Sequence, residues 1–281
     1  MSSQESPTGN DIKESLKNHS TIKKQSYDFI TQENVKVALK SKFGNNAILK
    51  SWEAKKLGEK SFNFIGMITE VSVAYLENDV KKFTSFIVKA AGNDSQVVLR
   101  KNGLADVFKK EADFYTKIIP ALNQRMHSIG QPKLKFPECY YISLEKGKEL
   151  IFLEDLREKG FSPMLKELNQ KMKASEILII VKELARFHAA SSLIHNSRKK
   201  EEFIEAHECL TMSMDIYCLE NFKLIHQSII NVISILDGYT EIKNKLEKLD
   251  IGKLIERMDK SEMPFQVIRH ADCYYHNIMI K

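Results

Sequence analysis

The spacing of apolar positions divides the chain into a strand-rich stretch followed by a helix-rich one. Residues 27–43 read as a first helix, closed by Gly44-Asn45. Residues 47–55 read as extended. Over residues 64–76, Val71, Val73 and Tyr75 alternate with Ser72, Ala74 and Leu76, the two-residue period of a strand. Asn78-Asp79 is a turn signal, and residues 83–90 return as a second strand, so an antiparallel sheet is predicted. A long helix over residues 105–126 follows, its stripe formed by Phe108, Glu111, Tyr115, Ile118 and Leu122. After a loop at 130–137, residues 138–143 and 150–156 form a hairpin turning at Lys146-Gly147-Lys148.

Beyond Gly160 the pattern is almost wholly helical. Ser175 is the expected cap of a helix over residues 175–194, with Ile177, Val181, Leu184 and His188 on one face. A further helix is expected at 198–210. Phe222, Ile225, Ile229, Val232 and Leu236 make another apolar stripe, and residues 241–257 complete the array. Pro264 ends the helices, and a short strand is expected at 265–268. Met212, Met214 and Met258 read as core filling.

Composition narrows the class. A chain of 281 residues with 43% hydrophobic content can bury a substantial core in one large domain or two lobes. Residues 1–26 are dominated by Ser, Lys, Asn and Gln, which predicts a disordered polar tail with no secretory signal. No segment approaches the roughly 20 apolar residues of a membrane span. Cys139, Cys209, Cys218 and Cys273 are widely spaced and form no Cys-x-x-Cys pair, which argues against a zinc site or disulfide framework and for a cytoplasmic setting. The formal charge of +6 is spread among interspersed Lys and Glu, as on solvated helix faces, which argues against nucleic acid as a partner.

Three groups of residues carry candidate chemistry. The first is His270-Ala271-Asp272, with Asn277 five positions beyond the Asp, between two short apolar runs. A phosphotransferase lays out its catalytic loop in this way: the Asp accepts the proton of an attacking hydroxyl and the Asn holds a metal ion on the phosphates. The second is Lys89 at the end of a strand with Glu111 in the middle of an apolar helix face. An unpaired carboxylate there would be costly, so Glu111 requires a cation. Lys89 would complete the ion pair that grips α and β phosphates, while Lys109 or Lys110 would satisfy Glu111 in a purely structural way. Lys89 alone also fits a snorkelling surface residue. The third is the strand ending Glu154-Asp155-Leu156, a lobe boundary whose backbone could hydrogen-bond an adenine edge. His188 on its apolar stripe reads as a core residue. Walker, His-Glu-x-x-His and Gly-x-Ser-x-Gly motifs are absent from the sequence.

Assembled in order, these strings resemble the insect ecdysteroid kinase-like (CHK-kinase-like) family, within the wider choline-kinase and aminoglycoside-phosphotransferase group. The resemblance covers about residues 40–281. It rests on Gly58-Glu59, on Phe86-Ile87-Val88-Lys89, and on Phe108-Lys109-Lys110-Glu111-Ala112-Asp113-Phe114-Tyr115 running to Ile119-Pro120. Leu153-Glu154-Asp155-Leu156 before Gly160-Phe161, Leu184-Ala185-Arg186-Phe187-His188-Ala189 and the closing loop complete it. The resemblance implies an α+β, protein-kinase-like two-lobe fold: a kinase-like N-lobe at 27–156 and a helical C-lobe at 157–281. It implies ATP and Mg2+ as cofactors and a small-molecule hydroxyl as substrate, such as that of an ecdysteroid or a foreign compound. Asp272 and His270 are then catalytic. Lys89, Glu111, Gly58, Glu154, Asp155 and Leu156 contact the nucleotide, and Asn277 binds metal.

The chain departs from the family's pattern at three places. Lys60, Ser61, Phe62 and Asn63 follow Gly58-Glu59 where the family continues Asn-aromatic-Ala-Ser, and Ala271 stands for a Gly. The sequence also stops at Lys281, before the family's further metal-binding Asp, so the C-lobe is expected to be truncated. Two functions are therefore expected as alternatives: a small-molecule kinase, or a catalytically inactive kinase-like binding or regulatory protein. The acceptor and the oligomeric state are undefined by the sequence.

Overall fold

The computed structural model describes residues 29–57, 67–91, 107–164, 173–195, 202, 205, 216–254, 267–270, 273 and 277–281. Helix α1 spans Gln32–Phe43. It begins later than its apolar spacing suggests because Thr31 caps it. Asn34 N donates to Thr31 Oγ1 (3.2 Å), and Thr31 N donates to Asn34 Oδ1 (2.9 Å). This reciprocal pair satisfies two donors that a helix start leaves orphaned. At the other end Gly44, with φ +85°, returns its N–H to the Lys40 carbonyl.

Strands β1 (Ala47–Lys56), β2 (Met67–Glu77), β3 (Val80–Ala90), β4 (Cys139–Ser143) and β5 (Leu150–Glu154) form one antiparallel sheet in the order β1-β2-β3-β5-β4. The β2–β3 connection is the two-residue turn Asn78-Asp79, both at positive φ. That geometry matches the twist of the flanking strands, and short Asn and Asp side chains tolerate it. Strict alternation then sorts the side chains. Val71, Val73, Tyr75, Phe86, Val88 and Phe152 point to one face and form a core with Val35, Ala38 and Leu39 of α1. Ile87, Ala91, Ile151 and Leu153 point to the other, where Phe108 covers them.

The long helix predicted at 105–126 is interrupted. It comprises α2 (Val107–Asp113), a π-helical turn (Phe114–Ile118) and α3 (Ile119–Ser128). Pro120 supplies the reason: it has no N–H for the carbonyl one turn back, so the ladder widens and Ile119 N donates to the Phe114 carbonyl instead. Beyond the wide turn, Ile118, Leu122 and Met126 enter a second core with Leu134, Phe187 and Ala190. Phe187 lies on α4 (Ala174–His195), edge-on to Phe114 and Phe136.

Several expectations require correction. Ser175 lies inside α4 and does not cap it, and Ile177 and Val181 are exposed, whereas Leu184 is half-buried and Phe187, Ala190 and Ser191 are buried. The helix thus turns a neighbouring face inward, the one that meets Phe114 and Phe136. Glu154 ends β5, and Asp155 caps a 3-10 turn at Leu156–Lys159, so the linking segment is not a continued strand. Residues 267–270 carry no strand. Ile268 N instead donates to Ser191 Oγ (3.1 Å). Helices α5 (Ile216–Ser234) and α6 (Thr240–Glu247) come next in the chain, and residues 251–254 are again helical. A two-stranded sheet pairs β6 (Ser162–Pro163) with β7 (Met279–Ile280). Met212, Met214, Met258, Cys209 and most of 198–210 lie outside the described residues. No described helix is long and apolar enough to cross a membrane.

Candidate active site

Lys89 stands on β3 between Ile68 of β2 and Ile151 of β5, on the sheet face that carries Ile87. Glu111 comes from α2, one turn beyond Phe108, which packs on that same face. The Lys89 ammonium donates directly to Glu111 Oε1. The cation of Glu111 is therefore the strand lysine, not Lys109 or Lys110 on its own helix. Both side chains remain partly open, with about a third of Lys89 exposed (35%), so the ammonium keeps donor capacity toward solvent.

The surroundings of Glu111 are apolar and aromatic. Burial, reinforced by the Glu111 carboxylate, pushes the Tyr115 hydroxyl pKa far up. The Cys139 thiol rises to about 11, again mainly by burial. Cys139 is consequently a protonated thiol at neutral pH. Along the same sheet face lies an open concavity of about 660 Å³ lined in part by Glu53, Glu70, Ser72, Phe83, Ser85 and Glu158.

At the end of β5 the Glu154 and Asp155 side chains are turned to the protein. Glu154 Oε1 meets Lys159 Nζ at 2.5 Å. Asp155, only 2% exposed, accepts from Arg157 and from Ser85 Oγ. Burial raises the Asp155 pKa, and the hydrogen bonds from Arg157 and Ser85 together more than reverse it, leaving the carboxyl below its ordinary value. The backbone of this segment is also engaged: Glu154 N donates to the Glu138 carbonyl (2.8 Å), and the Asp155 carbonyl accepts from Glu158 N (3.1 Å). Leu156 opens the 3-10 turn, and its carbonyl accepts from Phe161 N (3.2 Å).

His270 and Asn277 are exposed and bracket the loop candidate, while Asp272 and Gly58 lie outside the described residues, as do residues 60–63 and Ala271. The chain just beyond Asn277 is anchored: Met164 N donates to the Ile278 carbonyl (3.0 Å), and Ser162 pairs with Ile280. The segment carrying Asn277 is thus fixed to the chain a few residues past Gly160, whose φ of +83° closes the 3-10 turn. His188 is half-buried and stacks obliquely on Phe187, in keeping with a packing role. Among the described residues, no group of three or more His, Cys, Asp or Glu side chains converges as a metal site. A side-chain amide oxygen such as that of Asn277 is a hard donor of the type Mg2+ takes.

Sequence reasoning missed Arg157, Glu70, Ser85, Glu158 and Lys42, which bond the turn after β5 to the sheet and to α1. Nothing in the spacing of the sequence pointed from Glu70 to a partner in residue 157.

A five-stranded antiparallel sheet followed by helices, with a strand lysine bonded to a helix glutamate across one face, is a kinase-like α+β arrangement. The chain belongs to the ecdysteroid kinase-like family: that family's model matches residues 60–281. Membership implies kinase-like phosphotransferase activity on small molecules. No curated protein and no solved structure gives a significant match to the chain.

Proposed function

We propose that this protein transfers the γ-phosphoryl group of ATP to a hydroxyl of a small molecule, in the cytoplasm. The observation that carries the reading is the Lys89–Glu111 contact, made between a strand and a helix across the open face of the sheet. A lysine held by a carboxylate keeps its charge and its direction, which is what a triphosphate requires. Glu111 orients the ammonium, and Lys89 donates to the α and β phosphates. The backbone at 154–156 hydrogen-bonds the base, with Gly58 at the phosphate turn.

Asp272 then accepts the proton of the acceptor hydroxyl as its oxygen bonds to the γ-phosphorus and the bond from that phosphorus to the β,γ-bridging oxygen breaks, releasing ADP, and His270 positions that Asp. Asn277 and the phosphates would hold Mg2+, which when bound supplies positive charge against the phosphate oxygens. General-base catalysis of this kind is worth about 10²–10⁴ in rate.

The test begins with thermal unfolding of the chain alone, with ATP and magnesium, and with ATP and a chelator. Ligand at a hundredfold excess over Kd raises stability by about 2.7 kcal/mol. A magnesium-dependent rise that disappears in Lys89→Ala is expected, followed by phosphate transfer to a panel of sterols, amino alcohols and phenols. Transfer that survives Asp272→Ala at full rate would remove Asp272 as the base. Binding without transfer to any acceptor would make the protein a nucleotide-binding relative without catalysis.

A further inference from the structure

The 3-10 turn after β5 is bonded on three sides. Asp155 Oδ1 accepts from Arg157 N (3.0 Å) and Arg157 Nε (2.8 Å), and Oδ2 accepts from Ser85 Oγ (2.6 Å) and Arg157 Nη2 (2.6 Å). The same Nη2 crosses to Glu70 Oε2 of β2 at 2.8 Å. Glu158 Oε1 accepts from Ser85 N (2.6 Å), on the β3 edge just past the point where β5 leaves the sheet. Its other oxygen accepts from Lys42 Nζ of α1 (2.8 Å).

The Arg157 bridge reaches a particular place. Glu70 lies opposite Ile87, and Ile68, the next β2 residue on that face, lies opposite Lys89. Strand β2 also receives the chain from residues 58–66. One guanidinium therefore joins the segment that ends β5 to the strand beside the clamp lysine. Its planar fork can serve two carboxylates at once, which an ammonium on a flexible stem does poorly. The Glu70 end of the bridge is partly exposed (25%), as is Arg157 (39%). Exposed pairs contribute little to folding stability, so the consequence of this one is geometric.

We propose that Arg157 is a positioning residue of the nucleotide site: by joining Asp155 to Glu70 it fixes the span between the base-binding backbone at 154–156 and the part of β2 beside Lys89. The proposal rests on the phosphotransferase reading. A nucleotide bound at its base end then finds Lys89 and the β2 strand at the right distance for its phosphates, with no rearrangement to be driven by binding.

The experiment compares binding of adenosine and of ATP with magnesium to the full chain, to Glu70→Ala and to Arg157→Lys. Glu70→Ala leaves the Asp155–Arg157 fork in place and cuts the tie to β2, together with the long bond that Glu70 Oε1 accepts from Ser72 Oγ (3.3 Å). Expected is a loss of ATP affinity of about tenfold in both variants with adenosine affinity held within about twofold, since small misplacements act on the groups that are displaced. Variants that fold and keep the wild-type ratio of ATP to adenosine affinity would overturn the proposal and leave the nucleotide site intact. A wild-type chain that binds neither ligand would overturn the phosphotransferase reading, and this inference with it.

Discussion

The sheet and the helical pair α5–α6 both carry apolar positions at regular spacing and are quite different in what they bury. Phe86, Val88 and Phe152 in the sheet have no exposed surface, closed in by α1 from one side and by neighbouring strands. On α5, Ile225, Ile229 and Val232 stand exposed, and among its described residues Ile230 is the buried apolar one. The pair is joined instead by a polar contact, with His226 Nε2 lying 3.0 Å from the Leu246 carbonyl. The difference teaches that periodicity gives the direction of an apolar face without saying what meets it. In the sheet the partner is fixed by pairing, so direction and burial coincide.

Truncating a sheet residue should give the largest effect. Phe152→Ala removes a ring that meets Phe86 and Tyr141 edge-on, in a core with no solvent access, and should cost about 3–5 kcal/mol. Chemical denaturation with an unchanged m-value checks it. A cost below about 1 kcal/mol would mean that the sheet core is no tighter than the helical pair.

Next come the charges that fasten the turn to the sheet. Asp155→Asn weakens charge-assisted bonds to Arg157 and Ser85 and should cost about 1.5–3 kcal/mol. Burial raises the pKa of both Asp155 and Glu158, but hydrogen bonds from Arg157 and Ser85 to the first, and from Lys42, Ser85 and Thr84 to the second, bring each below its ordinary value of 3.8 or 4.5. Depressed carboxylates stabilise the folded state above their unfolded values, and that contribution is lost as pH falls through the lower folded values. The unfolding midpoint should therefore drop on acidification below those ordinary values, and drop less steeply in Asp155→Asn. Equal acid sensitivity in the two proteins would show that other groups govern it.

A smaller effect is expected at the start of α1, an element whose boundary the sequence pattern misplaced. The period-two pattern located β2 and β3 and their turn, because strand pairing leaves alternation little freedom. The helix start was displaced from residue 27 to Gln32 because its capping pair is Thr31 with Asn34, not the Glu or Gln of the usual signature. Thr31→Ala should cost about 1 kcal/mol, read as a lower melting temperature. At the site, Glu111 announced its need for a cation by sitting on an apolar stripe, and Lys89 was within reach of that argument. Arg157 and Glu70 were not, since two charged residues 87 apart look like ordinary surface until the fold brings them together. On α4 the chosen stripe was off by a fraction of a turn, because the aromatic pair Phe114 and Phe136 decides which face is covered.

The smallest effect is expected on α5. Val232→Ala removes two methyl groups from a side chain that is 57% exposed, on a face shared with Ile225 and Ile229. If that face meets only water, nothing is lost but a little helix-neutral surface, and the stability change should stay within about 0.5 kcal/mol. Alanine is also the better helix former, so a slight stabilisation is consistent with the same picture. The double variant Ile229→Ala with Val232→Ala should remain near-additive, because two exposed residues share no cavity to collapse. A cost of about 2 kcal/mol or more for either change is the signature of a filled interior. Such a result would place a partner surface on α5 and make its stripe the equal of the sheet's buried face.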